Sequence, residues 1–269
     1  MVSGAAALDA ELADIVAGFS GRIGYVLLDL RTGARRELHA EQWFPTASAV
    51  KLPVLSVVHR LRADGELDLA ERLCVPVHET PGGSGILQYL EQPQQLSLRD
   101  LCWLMICVSD NVATNVVLAR IGLERARQLL REIVTAEVEL LKYAGGRALR
   151  SMARATPRAL ADYLVRLHAG GLAGSAETLA VAEQQQSHAG VARYLPVGPG
   201  STVRIANKDG ALPGIRTDIG VIRHRDGAVA VVVMTEGSAD RGWGPEHEGE
   251  RCIGAISRAA SQAWLGIPA

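Results

Sequence analysis

Lysine is nearly missing from this sequence. Of 28 basic residues only three, Lys51, Lys142 and Lys208, are lysines. Arginine fills almost every other basic position, and arginine cannot release its proton near neutral pH, whereas a desolvated lysine can. The positions that kept lysine are therefore the first to test for proton transfer. No stretch of the chain is long and apolar enough to span a bilayer. The N-terminus lacks a basic segment leading into an apolar one. Asp9, Glu11 and Asp14 interrupt it at helical spacing. It reads as an amphipathic helix rather than a signal peptide, so a cytoplasmic protein is expected.

Other absences narrow the chemistry. The four cysteines, Cys74, Cys102, Cys107 and Cys252, have neither CxxC pairing nor metal-ligand spacing, and buried reduced thiols are expected. The seven histidines are scattered without an HExxH pair, so neither a metal nor any other cofactor is expected. His78 and His188 could line a cleft, but surface or core positions suit them better. The stretch Pro81-Gly82-Gly83-Ser84-Gly85 follows no strand and lacks the lysine of a phosphate loop, which speaks against nucleotide binding. Net charge is −1, with acids and bases mixed along the chain. No broad field invites nucleic acid or an anionic membrane, and a small-molecule substrate is the expected partner. There is no internal repeat or low-complexity linker.

What is present suffices for a large core: 269 residues, 48% of them hydrophobic. A helix is expected over 6–18, a strand over 21–30 and a shorter partner over 35–39, joined by the turn Arg31-Thr32-Gly33. Leu52, Leu55, Val58 and Leu61 share one face of a helix that starts near 46 and ends near Gly65. Ser97 and Asp100 resemble a capping box ahead of an apolar helix over 98–108. Further helices are expected over 111–119, 122–133 and, after Thr156-Pro157, 157–169. Strands return over 202–208, 215–224 and 228–235, the last two joined by Asp226-Gly227. A helix over 248–264 closes the chain. Tight turns between sequential strands favour an antiparallel sheet. The expected fold is α/β of the α+β type: a five-stranded antiparallel sheet flanked by the terminal helices, with an all-helical lobe inserted. The α/β lobe comes from 1–40 and 196–269 and the helical lobe from 41–195, together forming one domain with a cleft between the lobes.

Three short motifs carry the chemistry. Ser48-Ala49-Val50-Lys51 is a Ser-x-x-Lys at a helix start. A spacing of three is nearly one turn, so hydroxyl and amine share a face. The helix N-terminus offers N–H groups to an oxyanion. Ser109-Asp110-Asn111 lies between two apolar helices and by itself is a good N-cap. Lys208-Asp209-Gly210 closes a strand and by itself is a strand end turning at glycine. The order of the three is that of class A β-lactamases and penicillin-binding proteins.

On these motifs the sequence resembles the class A β-lactamase-like serine hydrolases, along nearly its whole length. The resemblance rests on the segment from Phe44 to Lys51, the segment from Leu101 to Asn115, and the segment from Lys208 to Ile222. It implies that Ser48 attacks a carbonyl and becomes acylated, and that Lys51 takes its proton. Ser109 would pass that proton to the leaving nitrogen with the help of Lys208. Substrate contacts would fall to Asn111, Asp209, Gly210, Ala211 and Arg216. The N–H groups of Ser48 and Ala211 would form the oxyanion hole, and Arg216 would meet a substrate carboxylate. Cys102 is the one counterpart of the family's helical-lobe disulfide, with Leu55 in its partner's place.

Two departures from the family pattern stand out. Between Asn115 and Thr156 no Glu-Pro-x-Leu-Asn-like stretch supplies a base for the deacylating water. The acids there are Glu124, Glu132, Glu137 and Glu139, of which Glu137 or Glu139 could substitute. Without such a base the acyl-enzyme is expected to be long-lived, or to be discharged by Lys51 and Ser109. In addition, Asp209 stands where the family has a hydroxyl that donates to a substrate carboxylate. A carboxylate only accepts hydrogen bonds, so weak turnover of ordinary penicillins is expected, and a neutral or cationic amide or ester suits the site better.

Overall fold

The computed structural model describes residues 2–76, 81–91, 94–145, 151–244 and 246–268. The chain opens with α1 (Val2–Ala17), β1 (Arg22–Asp29) and β2 (Arg35–Leu38). It returns at its far end to β8 (Arg204–Leu212), β9 (Ile215–His224), β10 (Gly227–Glu236) and α8 (Glu248–Leu265). These five strands form one sheet in the order β2-β1-β10-β9-β8, every pair antiparallel.

The central strand explains the layering. Successive residues of a strand point to opposite faces, and β10 is apolar on both. Ala230, Val232 and Met234 join a core shared with the inserted segment. Val229, Val231 and Val233 join a second core with Leu8 and Leu12 of α1 and Ile253, Ile256 and Ala260 of α8. The sheet is therefore covered on both sides. The expected sheet and terminal helices are borne out, and among the described residues no helix is long and apolar enough to cross a membrane.

The inserted segment begins with β3 (Phe44–Pro45), a 3₁₀ turn over Ala47–Val50 and α2 (Lys51–Ala63). Then come β4 (Arg72–Val75), β5 (Gln94–Ser97), α3 (Leu98–Cys107), α4 (Asn111–Ile121) and α5 (Leu123–Ile133). It ends with β6 (Val138–Leu140), β7 (Ala153–Ala155), α6 (Pro157–His168) and α7 (Ser175–Ala182). Side chains cap three of these helices as the sequence leads one to expect. Ser97 accepts from the Asp100 N–H, Asp110 from the Ala113 N–H, and Thr156 from the Ala159 N–H ahead of Pro157.

Two details differ from expectation. The inserted segment also carries a three-stranded sheet, β3-β7-β6, and a two-stranded one, β4-β5. Their strands run to four residues at most, too short for an alternating pattern to register. Furthermore, Lys208-Asp209-Gly210 does not end a strand: β8 continues to Leu212, with Lys208 facing Ile219 and Gly210 facing Thr217 across the ladder. Glycine serves close approach here rather than a turn. A Cβ on Gly210 would lie 2.5 Å from the Thr46 carbonyl oxygen and 2.7 Å from the Ser48 nitrogen. Edge strand β8 thus presses directly on the turn that carries Ser48.

Candidate active site

A cleft of about 700 Å³ opens where β8, the 47–50 turn, the start of α4 and the 81–84 loop converge. Ser48, Ser109, Asn111, Asp209, Gly210 and Ala211 line it together. Residues from three distant parts of the chain therefore reach one space.

The backbone is strained on both sides. Ala47, immediately before Ser48, has φ 45°, and Ser109 has φ 56°. Non-glycine residues in this left-handed region cost of order 1 kcal/mol and persist only where their surroundings hold them. Ser109 is held by its neighbour. Asp110 caps α4 and accepts from the N–H groups of Ile86 and Leu87 at 2.7 and 2.9 Å. The N-cap reading of Ser-Asp-Asn is thus correct for Asp110, while the residues on either side of it turn into the cleft.

Lys51 is fully buried. Its Nζ donates to the Ser109 carbonyl at 2.7 Å, to Ser109 Oγ at 3.1 Å and to Asn111 Oδ1 at 2.8 Å. All three acceptors are neutral. Burial, reinforced by the nearby charge of Lys208, pushes this amine well below the ordinary lysine range, against a smaller pull from Asp209 and Asp110. An amine so placed can spend part of its time neutral and accept a proton at neutral pH. Ser48 lies one 3₁₀ turn before it, and Ser48 Oγ is not among its hydrogen-bond partners. Asn111 uses both ends of its amide, with Nδ2 donating to the Gly82 carbonyl at 2.8 Å.

Lys208 is also fully buried but is bound differently. Its Nζ lies 2.5 Å from Asp209 Oδ1 and 2.9 Å from the Asp209 carbonyl. The expected link from Lys208 to Ser109 is absent among these contacts, because the carboxylate beside it is the stronger acceptor. Gln185 Nε2 donates to the same Oδ1 at 2.9 Å. Burial pushes the Asp209 carboxyl up, but the Lys208 charge and hydrogen bond, with Ser187 and Lys51, outweigh it and hold the group below its usual range. Directly across the ladder, Asp218 is buried and accepts from Asn207 and from the Val191 N–H. Burial, with the repulsion of Asp209, raises its carboxyl from 3.8 to about 7.

Arg216 is given a different task from the one expected. It does not line the cleft. Its guanidinium is 3% exposed, pairs with Glu250 at 2.8 Å and donates to the carbonyls of Leu212, Ile215 and Gly242. The first turn of α8 brings Glu250 against it, and a buried guanidinium is kept where it is paired. Neither Glu137 nor Glu139 reaches the cleft: Glu137 is exposed beside Thr135, and Glu139 pairs with Arg154 at 2.8 Å. His188 is exposed and His78 lies outside the described residues.

Sequence reasoning missed Gln185, Ser187 and Trp243, which also border the cleft. A weak signal for the first is the run Gln184-Gln185-Gln186 just past an apolar segment. Trp243 left none. Asn115 also went unassigned; it exchanges two hydrogen bonds with Ala144, holding the start of the loop after β6 over the cleft.

Comparison with known proteins bears on the family and the fold. The family described as "Beta-lactamase enzyme family" matches residues 7–264. The β-lactamase regulatory protein BlaB of Streptomyces cacaoi is 28% identical over 262 residues, which span 79% of this chain and 83% of that protein. A β-lactamase of Streptomyces lavendulae is 38% identical over 109 residues, 38% of this chain and 35% of that one. Among solved structures, the β-lactamase of Sphaerobacter thermophilus superposes with a TM-score of 0.87 at 31% identity, covering 97% of this chain and 98% of its own. A variant of PBP-A in an acyl-enzyme complex with penicillin G shares the fold, with a TM-score of 0.84 at 23% identity over 97% and 96% of the two chains. With its fold matched end to end and its motif residues gathered in one cleft, this chain belongs to the β-lactamase enzyme family.

Proposed function

We propose that the protein is a serine acyl-transfer enzyme whose nucleophile is Ser48. The observation that carries this reading is the buried Lys51 amine, held among neutral oxygens within one turn of Ser48 and in contact with Ser109. Lys51 in its neutral form takes the Ser48 proton as Oγ attacks the carbonyl of a β-lactam, amide or ester. The N–H groups of Ser48 and Ala211 hold the oxyanion. Ser109 passes a proton to the leaving group as the carbonyl bond to it breaks, leaving acyl-Ser48. Asn111 orients Lys51. Asp209 and Gly210 form the wall against which the substrate lies.

Discharge of the acyl group is the slow step of this scheme. No glutamate lines the cleft among the described residues, and in this scheme Lys51 and Ser109 act again on water. Weak turnover of conventional β-lactams follows. A second reading, single-turnover ligand capture without catalysis, is favoured by one observation: the Streptomyces cacaoi relative is named a regulatory protein.

Intact-mass measurement after exposure to penicillins, cephalosporins and activated esters tests both. The expected result is an adduct at Ser48 that decays with product release and is lost in Ser48→Ala. A permanent adduct favours capture, and an adduct that survives Ser48→Ala would overturn the nucleophile assignment.

A further inference from the structure

The charge on the cleft wall, among the described residues, is of one sign. Among the described residues that line the cleft, Asp209 alone carries a formal charge. Both buried lysines lie behind the wall, each with no exposed surface. Arg216 lies behind it too, committed to Glu250 and three carbonyls. Among the described lining residues, a ligand carboxylate therefore meets no free cation.

Asp209 is not cancelled by its partner Lys208, because the pair is oriented. The amine is wholly inside, whereas the carboxylate side chain keeps 29% of its surface and borders the cleft. The negative end of the pair is what a ligand touches. Gln185, donating to the same Oδ1, fixes the carboxylate in that pose. At the mouth of the same cleft stands Trp243, 63% exposed. Arg216 lies near its ring, 5.3 Å from the centroid, and most of the residue's surface stays exposed. A carboxylate and an open indole on one cleft are the two groups that together favour a cation over a neutral isostere.

We infer that the cleft selects acyl donors bearing a positively charged group near the scissile carbonyl, held by the Asp209 carboxylate and the face of Trp243. This specificity rests on the acyl transfer proposed above. In the reaction a bond forms between Ser48 Oγ and the acyl carbon, the bond to the leaving group breaks, and the serine proton ends on the leaving group.

Three thioesters of matched size test the inference: acetylthiocholine, its carbon isostere 3,3-dimethylbutyl thioacetate, and 3-(acetylthio)propionate. Thiol release and acetyl-Ser48 formation are followed for each. The cationic ester is expected to acylate at least tenfold faster than the neutral one, and the anionic ester at least tenfold slower. Asp209→Ser should compress the series to within threefold, and Trp243→Ala should slow the cationic ester alone by about threefold. Equal rates, or preference for the anion, in the unmodified protein would overturn the inference. If none of the three labels Ser48, the acyl-transfer reading fails on its own. Binding of the same esters to Ser48→Ala, measured by calorimetry, then decides the charge question: tighter binding of the cation sustains it, and equal or anion-favouring binding refutes it.

Discussion

Lys51 and Lys208 border the same cleft from behind and are equally buried, yet they are held by opposite kinds of partner. Lys51 donates only to neutral oxygens of Ser109 and Asn111. Lys208 has a carboxylate at 2.5 Å. A buried ammonium without a counter-ion is costly and drifts toward its neutral form, whereas a carboxylate placed beside a buried amine offsets that cost. Under the proposed chemistry the same residue type would serve proton transfer on one wall and charge placement on the other. In that proposal the first and second motifs supply the acyl-transfer groups, while the third turns its positive charge away from the cleft.

The sharpest way to break that comparison is to remove each amine in turn. Under the proposed chemistry Lys51→Met should slow acylation of Ser48 by about three orders of magnitude, the scale of a lost general base. Single-turnover mass measurement checks this, and a loss below tenfold would place the base elsewhere. The next effect concerns stability against pH. The Asp218 carboxyl is raised from 3.8 to about 7 in the folded protein. Between these values the folded state holds a proton that the unfolded state has released, so this contribution is complete below pH 4 and is lost as pH rises through 7. The displacement corresponds to about 4 kcal/mol at most. Asp218→Asn should therefore flatten the fall in stability from pH 4 to 7, read from urea unfolding at several pH values. An unchanged slope would show that Asp218 is ionised throughout.

Removing Lys208 tests the ion-pair half. Lys208→Met leaves Asp209 beside Asp218 without its counter-ion and should cost about 3 kcal/mol in urea unfolding at pH 7. Lys51→Met leaves neutral acceptors unpaired and should cost about 1–2 kcal/mol. Equal losses would erase the distinction drawn between the two amines.

The half of the site proposed to carry acyl transfer was legible as motifs in the sequence because its signals are local. Ser48 and Lys51 share one turn, and the N-cap chemistry of Asp110 lets the residues on either side of it face the cleft. The sheet was legible too, since the apolar run of β10 and the Asp226-Gly227 turn fix a hairpin without reference to distant residues. What could not be read depends on which distant groups meet. Nothing in the segment around Arg216 reveals that Glu250 will occupy it. Nothing in Lys208-Asp209 says whether the carboxylate will face its neighbour or the solvent. Gln185 and Trp243 belong to no periodic pattern, and only the folded chain brings them to the cleft.

Gln185 offers the gentlest test of how the Asp209 wall is built. Its Nε2 donates to Asp209 Oδ1, while its Oε1 accepts from the N–H groups of Gln186 and Ser187 at 3.0 and 3.3 Å. It therefore ties the turn after α7 to β8. Gln185→Leu keeps the volume but removes all three bonds. The two backbone groups are only partly buried and can turn to water, so the net loss should be about 1 kcal/mol, or about 2–4 °C in Tm. Lys208 still holds the carboxylate, so acylation by a neutral activated ester should change by less than threefold. A large fall in that rate with unchanged Tm would mean that Gln185 touches the substrate rather than the wall, and the cleft would then owe its selectivity to an amide as well as to a charge.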